Sequence, residues 1–170
     1  PYKFQRTTAV STDTLPLGGY GNPTKPNGMI NSGFRPSDDA CIYGYLVPSN
    51  LFAVVALKQV SEIFTNVVKD FKFANDCTNL ASEVESSIKQ NAISNHLNYG
   101  KVLAYEIDGF GNKLFMDDAN VPSLLSLSYL NCLNSDDEIY INTRKFILSK
   151  DNPYFFSGKY AEGIGGPHVG

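Results

Sequence analysis

"PSNLFAVVALKQVSEIFTNV", residues 48–67, carries the period that decides the fold. Leu51, Val54, Val55, Leu57, Val60, Ile63, Phe64 and Val67 recur at steps of three and four, which puts them on one face of a helix. Pro48 and Ser49 stand where a helix starts, since proline's fixed φ and missing N–H cost nothing in a first turn. A second stripe follows in Leu80, Val84, Ile88, Ala92 and Leu97, with Asp76 as its expected N-cap and Gly100 just past its end. "NVPSLLSLSYL" (120–130) predicts a third helix with Pro122 in its first turn. "SDDE" (135–138) opens a fourth, with Ser135 and Glu138 in capping-box spacing and Ile139, Thr143, Phe146 and Ile147 on its inner face.

Between the second and third helices the period changes. In "KVLAYEIDGFGNKLFM" (101–116) two short β-prone runs flank "DGFGN", a hairpin signal. Residues 1–36, with "LPLGGYGNPTKPNG" at 15–28, have Pro and Gly clusters and little periodicity, and read as a long ordered loop region. The expectation is an all-α domain with one short β-hairpin and long loops. Acid-rich loops ahead of the helix starts suggest a helical barrel or toroid whose site lies at one rim.

Composition removes several classes. A net charge of −3 with no basic stripe argues against a nucleic-acid partner. The longest apolar run, "LFAVVAL" at 51–57, falls short of the ~20 residues of a membrane span, so no membrane is expected and this run reads as a buried helix segment. Cys41, Cys77 and Cys132 form no CxxC pair and read as free thiols. His96 and His168 have no metal-ligand spacing, so neither metal nor cofactor is expected. The chain opens at Pro1 and stops in "GIGGPHVG", so both ends read as cut from a longer protein and the compartment stays unknown.

Four motifs carry chemistry. "RPSDDA" (35–40) sets Asp38 and Asp39 side by side near Arg35 and Ser37. Adjacent carboxylates repel, so one is driven toward its protonated form while Arg35 keeps the other ionised. A protonated carboxylic acid is the proton donor that glycosidic cleavage needs. "YEIDGFGN" (105–112) places Glu106 and Asp108 on one face if the run is a strand. "DDANVPS" (117–123) offers Asp117, Asp118 and Asn120, one as a helix cap and the others as acceptors for hydroxyl groups. His168 stands in a loop stiffened by glycine and proline. No nucleophile elbow and no phosphate-binding loop occurs, and carbohydrate chemistry fits this inventory.

The strings "SGFRPSDDACIYGYLVPSNLFAVVAL", "YEIDGFGN", "DDANVPSLLSLSYL" and "NTRKFILSKDNPYFFSGKYAEGIGGPH", in that order, resemble glycoside hydrolase family 125, as does "DTLPLGGYGNP". The resemblance spans essentially all 170 residues. It implies an (α/α)6 barrel and a metal-independent exo-α-1,6-mannosidase acting on mannan or N-glycan oligosaccharides with inversion. The family's general acid falls in "RPSDDA", at Asp38 or Asp39. Arg35, Ser37, Asn50, Glu106, Asp108, Asp117, Asp118, Asn120 and His168 match positions expected to bind the mannoside. The family's general base, a glutamate in an "HESF"-like motif, has no counterpart here, and neither Glu106 nor Glu162 stands in that context. Residues 1–170 are therefore expected to be the central portion of one catalytic domain, lacking N-terminal helices and a C-terminal end, and inactive alone. The alternatives are a non-catalytic mannoside-binding helical protein without the base, and a purely structural helical module.

Overall fold

The computed structural model describes residues 4–118 and 120–168. In chain order its elements are a single turn α1 (Pro16–Gly19), strand β1 (Tyr45–Leu46), helices α2 (Val47–Ile63) and α3 (Phe71–Asn91), strands β2 (Ile93–His96), β3 (Gly100–Leu103), β4 (Glu106–Ile107) and β5 (Lys113–Leu114), helix α4 (Glu138–Ile147), and strands β6 (Phe155–Ser157) and β7 (Glu162–Ile164). Short 3-10 turns lie at Ser11–Asp13 and Leu125–Leu127, and a π turn at Phe64–Val68 extends α2. The chain is mostly helical with few strands.

Helix α2 begins where Pro48 predicts, directly after β1. Only its first half is buried, through Val47, Pro48, Asn50, Leu51 and Val54. The expectation that 51–57 is buried throughout is corrected: Phe52 is exposed and Val55 and Leu57 are only half-buried, while the end of the stripe, Ile63 and Val67, faces outward, with Val67 74% accessible. The expectation that no segment is long and apolar enough to span a membrane also needs correcting. Val47–Val68 reaches 22 residues with a mean hydropathy of 1.5, enough by length and composition alone. Counting uninterrupted apolar residues misses it, because Lys58, Gln59 and Glu62 break the run. Here it packs along α3, with Ser61 Oγ donating to Ala74 O and Lys58 Nζ 2.8 Å from Glu85.

Helix α3 starts earlier than expected. Asp70, not Asp76, is its cap, accepting a hydrogen bond from Phe73 N. Its buried face is Ala74, Cys77, Ala81, Val84, Ser87 and Ile88, which keeps Val84 and Ile88 of the expected stripe, and α2 packs along this helix. Leu80 is exposed, and Leu97 lies fully exposed in the turn of a second hairpin, β2–β3. Gly100 (φ +77°) serves that hairpin and not a helix end.

The expected single hairpin is one of three small sheets. β4 and β5 pair around "DGFGN", in the register Glu106↔Leu114 and Ile107↔Lys113, and β1 adds to the other edge of β4. β2–β3 and β6–β7 are separate two-stranded units. The helix expected at 120–130 forms only its 3-10 turn. Serine side chains compete there with the helical ladder: Ser123 N donates to Ser126 Oγ, and Ser126 N to Ser123 Oγ. Helix α4 is capped by Asp137, which accepts from Ile139 N and Tyr140 N, in place of the Ser135–Glu138 box. Its buried face is Tyr140, Thr143, Phe146 and Ile147. The three cysteines are free thiols, with Cys41 and Cys77 buried. The core gathers Leu46, Val84, Val102, Tyr105, Leu127 and Ile147 from across the chain.

Candidate functional site

The "RPSDDA" segment is a tight loop. Arg35 N donates to Asp39 O at 2.8 Å and Asp38 N to Arg35 O at 3.1 Å. Phe34 and Ala40 close the loop as a β-bridge, and Ala40 N donates to Thr12 O. The turn holds Asp38 at φ +67°, a conformation uncommon outside glycine but tolerated by aspartate. Its consequence is a division of labour. Asp38 is exposed, and its carboxylate makes no hydrogen bond among the described residues. Asp39 turns inward and is 2% accessible, with Oδ2 accepting from Ser37 Oγ at 2.6 Å.

Beneath the loop lies a buried ion pair. Arg35 Nε stands 2.6 Å from Glu106 Oε1, while Glu106 Oε2 accepts from Ile42 N and Tyr43 N. Burial disfavours the guanidinium's charge, but the hydrogen bond and charge of Glu106 outweigh it and raise the Arg35 pKa above its ordinary value. Arg35 also lies over the Tyr105 ring, 5.6 Å from its centroid, and Tyr105 OH donates to Asp118 Oδ2 at 3.2 Å. Burial, then the charges of Asp118 and Asp117, push the Tyr105 phenol up, so it is a proton-bearing donor. Glu106, Arg35, Tyr105 and Asp118 thus link the first acid loop to the second.

The second acid loop is equally committed to backbone. Asp117 is fully buried, with Oδ1 accepting from Leu124 N at 2.8 Å and Oδ2 from Leu125 N at 2.9 Å. Burial pushes its pKa up to about 8 despite those two donors, and Asp118 adds to the rise. Asn152 pins the loop from behind, accepting from Asp117 N and donating to Asp117 O and Ile147 O. Asp118 Oδ1 accepts from Asn120 N, and Asn120 is partly accessible. Asp108 makes the hairpin turn, accepting from Phe110 N, Asn112 N and Asn112 Nδ2. These bonds outweigh its burial and hold its carboxyl below the usual range. Asn50 spends its amide on Ile30 N, Ile30 O and Leu46 O.

The structure therefore brings Arg35, Ser37, Asp38, Asp39, Glu106 and Asp118 into one connected region, and places Asn50, Asp108 and Asp117 as backbone holders. His168 joins from the far end of the chain, its Nε2 3.3 Å from Asp39 Oδ1. Asp13 also joins: one ligand atom from each of Asp13, Asp39 and His168 lies within 4.8 Å of the others. Spacing in the sequence could not reveal this set, because its members come from three distant segments. Tyr105 and Asn152 were likewise missed: nothing separates them locally from other aromatic and loop amide residues. A cavity of about 550 Å³ lies against the loop, lined by Leu15, Tyr20, Asn31, Gly33, Phe34 and Cys41 among others. A second, of about 340 Å³, lies between α2, α3 and residues 131–139, and neither cavity is lined by a candidate residue.

The family model described as metal-independent alpha-mannosidase (GH125) matches residues 1–170. The meiotically up-regulated gene 157 protein of Schizosaccharomyces pombe is 47% identical over 171 residues, an alignment covering 99% of this chain and 33% of the yeast protein. A solved structure of a metal-independent α-mannosidase from Streptococcus pneumoniae, a non-productive complex with α-1,6-mannobiose, is 46% identical and superposes with a TM-score of 0.94. That match covers 99% of this chain and 40% of the bacterial one. The chain thus spans between a third and two fifths of the length of these relatives.

Proposed function

Because the chain belongs to the metal-independent α-mannosidases of glycoside hydrolase family 125, we propose that the full-length protein hydrolyses terminal α-1,6-linked mannose from mannan or N-glycan oligosaccharides, with inversion, inside an (α/α)6 barrel of which residues 1–170 form the central portion. The observation that carries the linkage is the close superposition on a structure holding α-1,6-mannobiose. The mostly helical order, with acid loops preceding α2 and the 3-10 turn at Leu125, supports the barrel.

Inversion needs one carboxylic acid to protonate the leaving oxygen and a second carboxylate to activate water on the opposite face, with ~6.5–9.5 Å between them. The donor is Asp38. A proton donor must touch the glycosidic oxygen, and Asp38 is the accessible member of the pair, held by its backbone and with no side-chain hydrogen bond among the described residues. Asp39 is already buried with only this portion of the protein around it, so it positions the loop. Arg35 and Glu106 anchor the loop from below, and Asn120 and His168 are accessible to sugar hydroxyls. The base comes from outside residues 1–170, so this portion alone does not turn over substrate. No metal or cofactor takes part.

The experiment is digestion of α-1,2-, α-1,3- and α-1,6-mannobiose by the full-length protein. Selective release of mannose from the α-1,6 isomer supports the reading. Binding of that isomer without cleavage would favour a mannoside-binding protein instead.

A further inference from the structure

We propose that one face of α2 is an interface for an apolar helix supplied by the polypeptide of the full-length protein outside residues 1–170. Phe52, Ala56, Val60 and Ile63 follow one another at helical steps of four, four and three, and Val67 continues the row into the π turn. At 3.6 residues per turn the first four fall within an arc of about 80°. From Phe52 to the end of α2 no polar residue shares that arc. Yet the row is open: Phe52 is 40% accessible, Ile63 52% and Val67 74%, and Ala56 and Val60 are only half-buried.

The other faces of α2 are already taken. One meets α3, where Ser61 Oγ donates to Ala74 O and lies 2.9 Å from Thr78 Oγ1. Another, with Leu51, Val55, Lys58 and Glu62, lines the cavity toward residues 131–139. The third face therefore presents an apolar row about four turns long, ~22 Å at 1.5 Å per residue. Rows at this spacing are what one helix offers to the grooves of another. A contiguous apolar patch of this kind marks an interaction surface.

Three occupants could cover it: a bilayer, a second copy, or the rest of the same chain. Length and hydropathy alone would let Val47–Val68 enter a bilayer. A helix in lipid, however, is apolar all round, and α2 carries Lys58, Gln59 and Glu62 off the row, with Lys58 paired to Glu85. A second copy must give up its translational freedom to dock, a cost that a segment tethered to the same chain largely escapes. There is chain enough for that, since the matched region covers only 33% of the yeast relative and 40% of the bacterial one. That the partner is a helix rests on the barrel reading; that the face is covered does not.

The test uses the purified full-length protein carrying I63C or V67C, labelled with a maleimide and read at each introduced thiol by peptide mass spectrometry. Both positions are expected to label at least about a hundredfold more slowly in native buffer than in denaturant, the protection of a packed element. That protection should persist on dilution and in the absence of lipid. Hydroxyl-radical footprinting of the unsubstituted protein, in which Phe52 and Ile63 should resist oxidation, gives the same readout should either variant misfold. Labelling at the denatured rate, or ready oxidation of Phe52 and Ile63, would show an open face and overturn the proposal. So would protection that is lost on dilution, the mark of a second copy, or that arises only with vesicles of phosphatidylcholine and phosphatidylglycerol, the mark of a membrane. Mannobiose hydrolysis is scored apart: an active protein with an open face defeats this proposal alone, and a covered face without hydrolysis defeats only the mannosidase reading.

Discussion

Arg35 and Glu106, 71 residues apart in the chain, meet at 2.6 Å with both side chains almost wholly buried. Glu106 uses its second oxygen on the N–H groups of Ile42 and Tyr43. The pair therefore fastens the acid loop at both its ends to strand β4. Removing one partner strands the other's charge in the interior. R35A or E106A should each cost about 3–5 kcal/mol, and the double variant less than their sum. Chemical denaturation of the full-length variants measures this, and additive losses would mean the two side chains act independently.

The two adjacent aspartates should separate cleanly. D38N is expected to keep the wild-type melting temperature and lose about 10²–10⁴-fold in turnover of mannobiose. With an activated aryl mannoside, whose leaving group needs no proton, the loss should shrink. D39N should instead lower the melting temperature, because it disturbs the Ser37 bond inside the loop. The opposite pattern would make Asp39 the donor.

Asp117 gives stability a pH signature. Its pKa in the folded protein is about 8 against an ordinary 3.8, so between those values the folded state holds a proton that the unfolded state has lost. Its contribution is thus complete below about pH 4 and fades as pH rises through about 8. D117N should be less stable at acid and neutral pH, since Leu124 N and Leu125 N bond different carboxylate oxygens and the amide nitrogen that replaces one of them cannot accept. Its melting temperature should fall less steeply with pH than that of the wild type. Equal slopes from pH 4 to 8 would place the Asp117 pKa outside that window.

Gly109 is needed for space as well as for conformation. It sits at φ +81°, and a Cβ there would come within 2.2 Å of Lys25 O. That carbonyl is held in place, accepting from Tyr45 OH while Lys25 N donates to Asp108 O. G109A should cost more than about 1 kcal/mol. G111A, also at positive φ (+111°) but in open space, should cost less. Thermal melts of the two full-length variants compare them, and equal losses would show that strain alone decides.

The start of α2, the inner face of α4 and the β4–β5 turn were legible in the sequence because their signals are local. Pro48 marked the start of α2, and the glycines of "DGFGN" marked the β4–β5 turn. Helix boundaries slipped where several residues could cap: Asp70 won over Asp76, and Asp137 over Ser135. The missing helix at 120–130 reflects serine side chains that bond to nearby backbone, a competition that apolar periodicity does not register. At the site, "RPSDDA" was visible as an acid pair, but nothing local could tell which member faces outward. That depends on the αL turn at Asp38. The alternation of Glu106 and Asp108 promised two acids on one face. Tertiary contacts instead gave each its own task, one as an ion-pair partner and the other as a turn acceptor.

The most direct test of the central claim is to follow the anomer released from α-1,6-mannobiose by the full-length protein in time-resolved proton NMR. The account predicts β-mannose as the first product, with the α-anomer growing in only by mutarotation. Initial release of α-mannose, or no release of mannose, would contradict it.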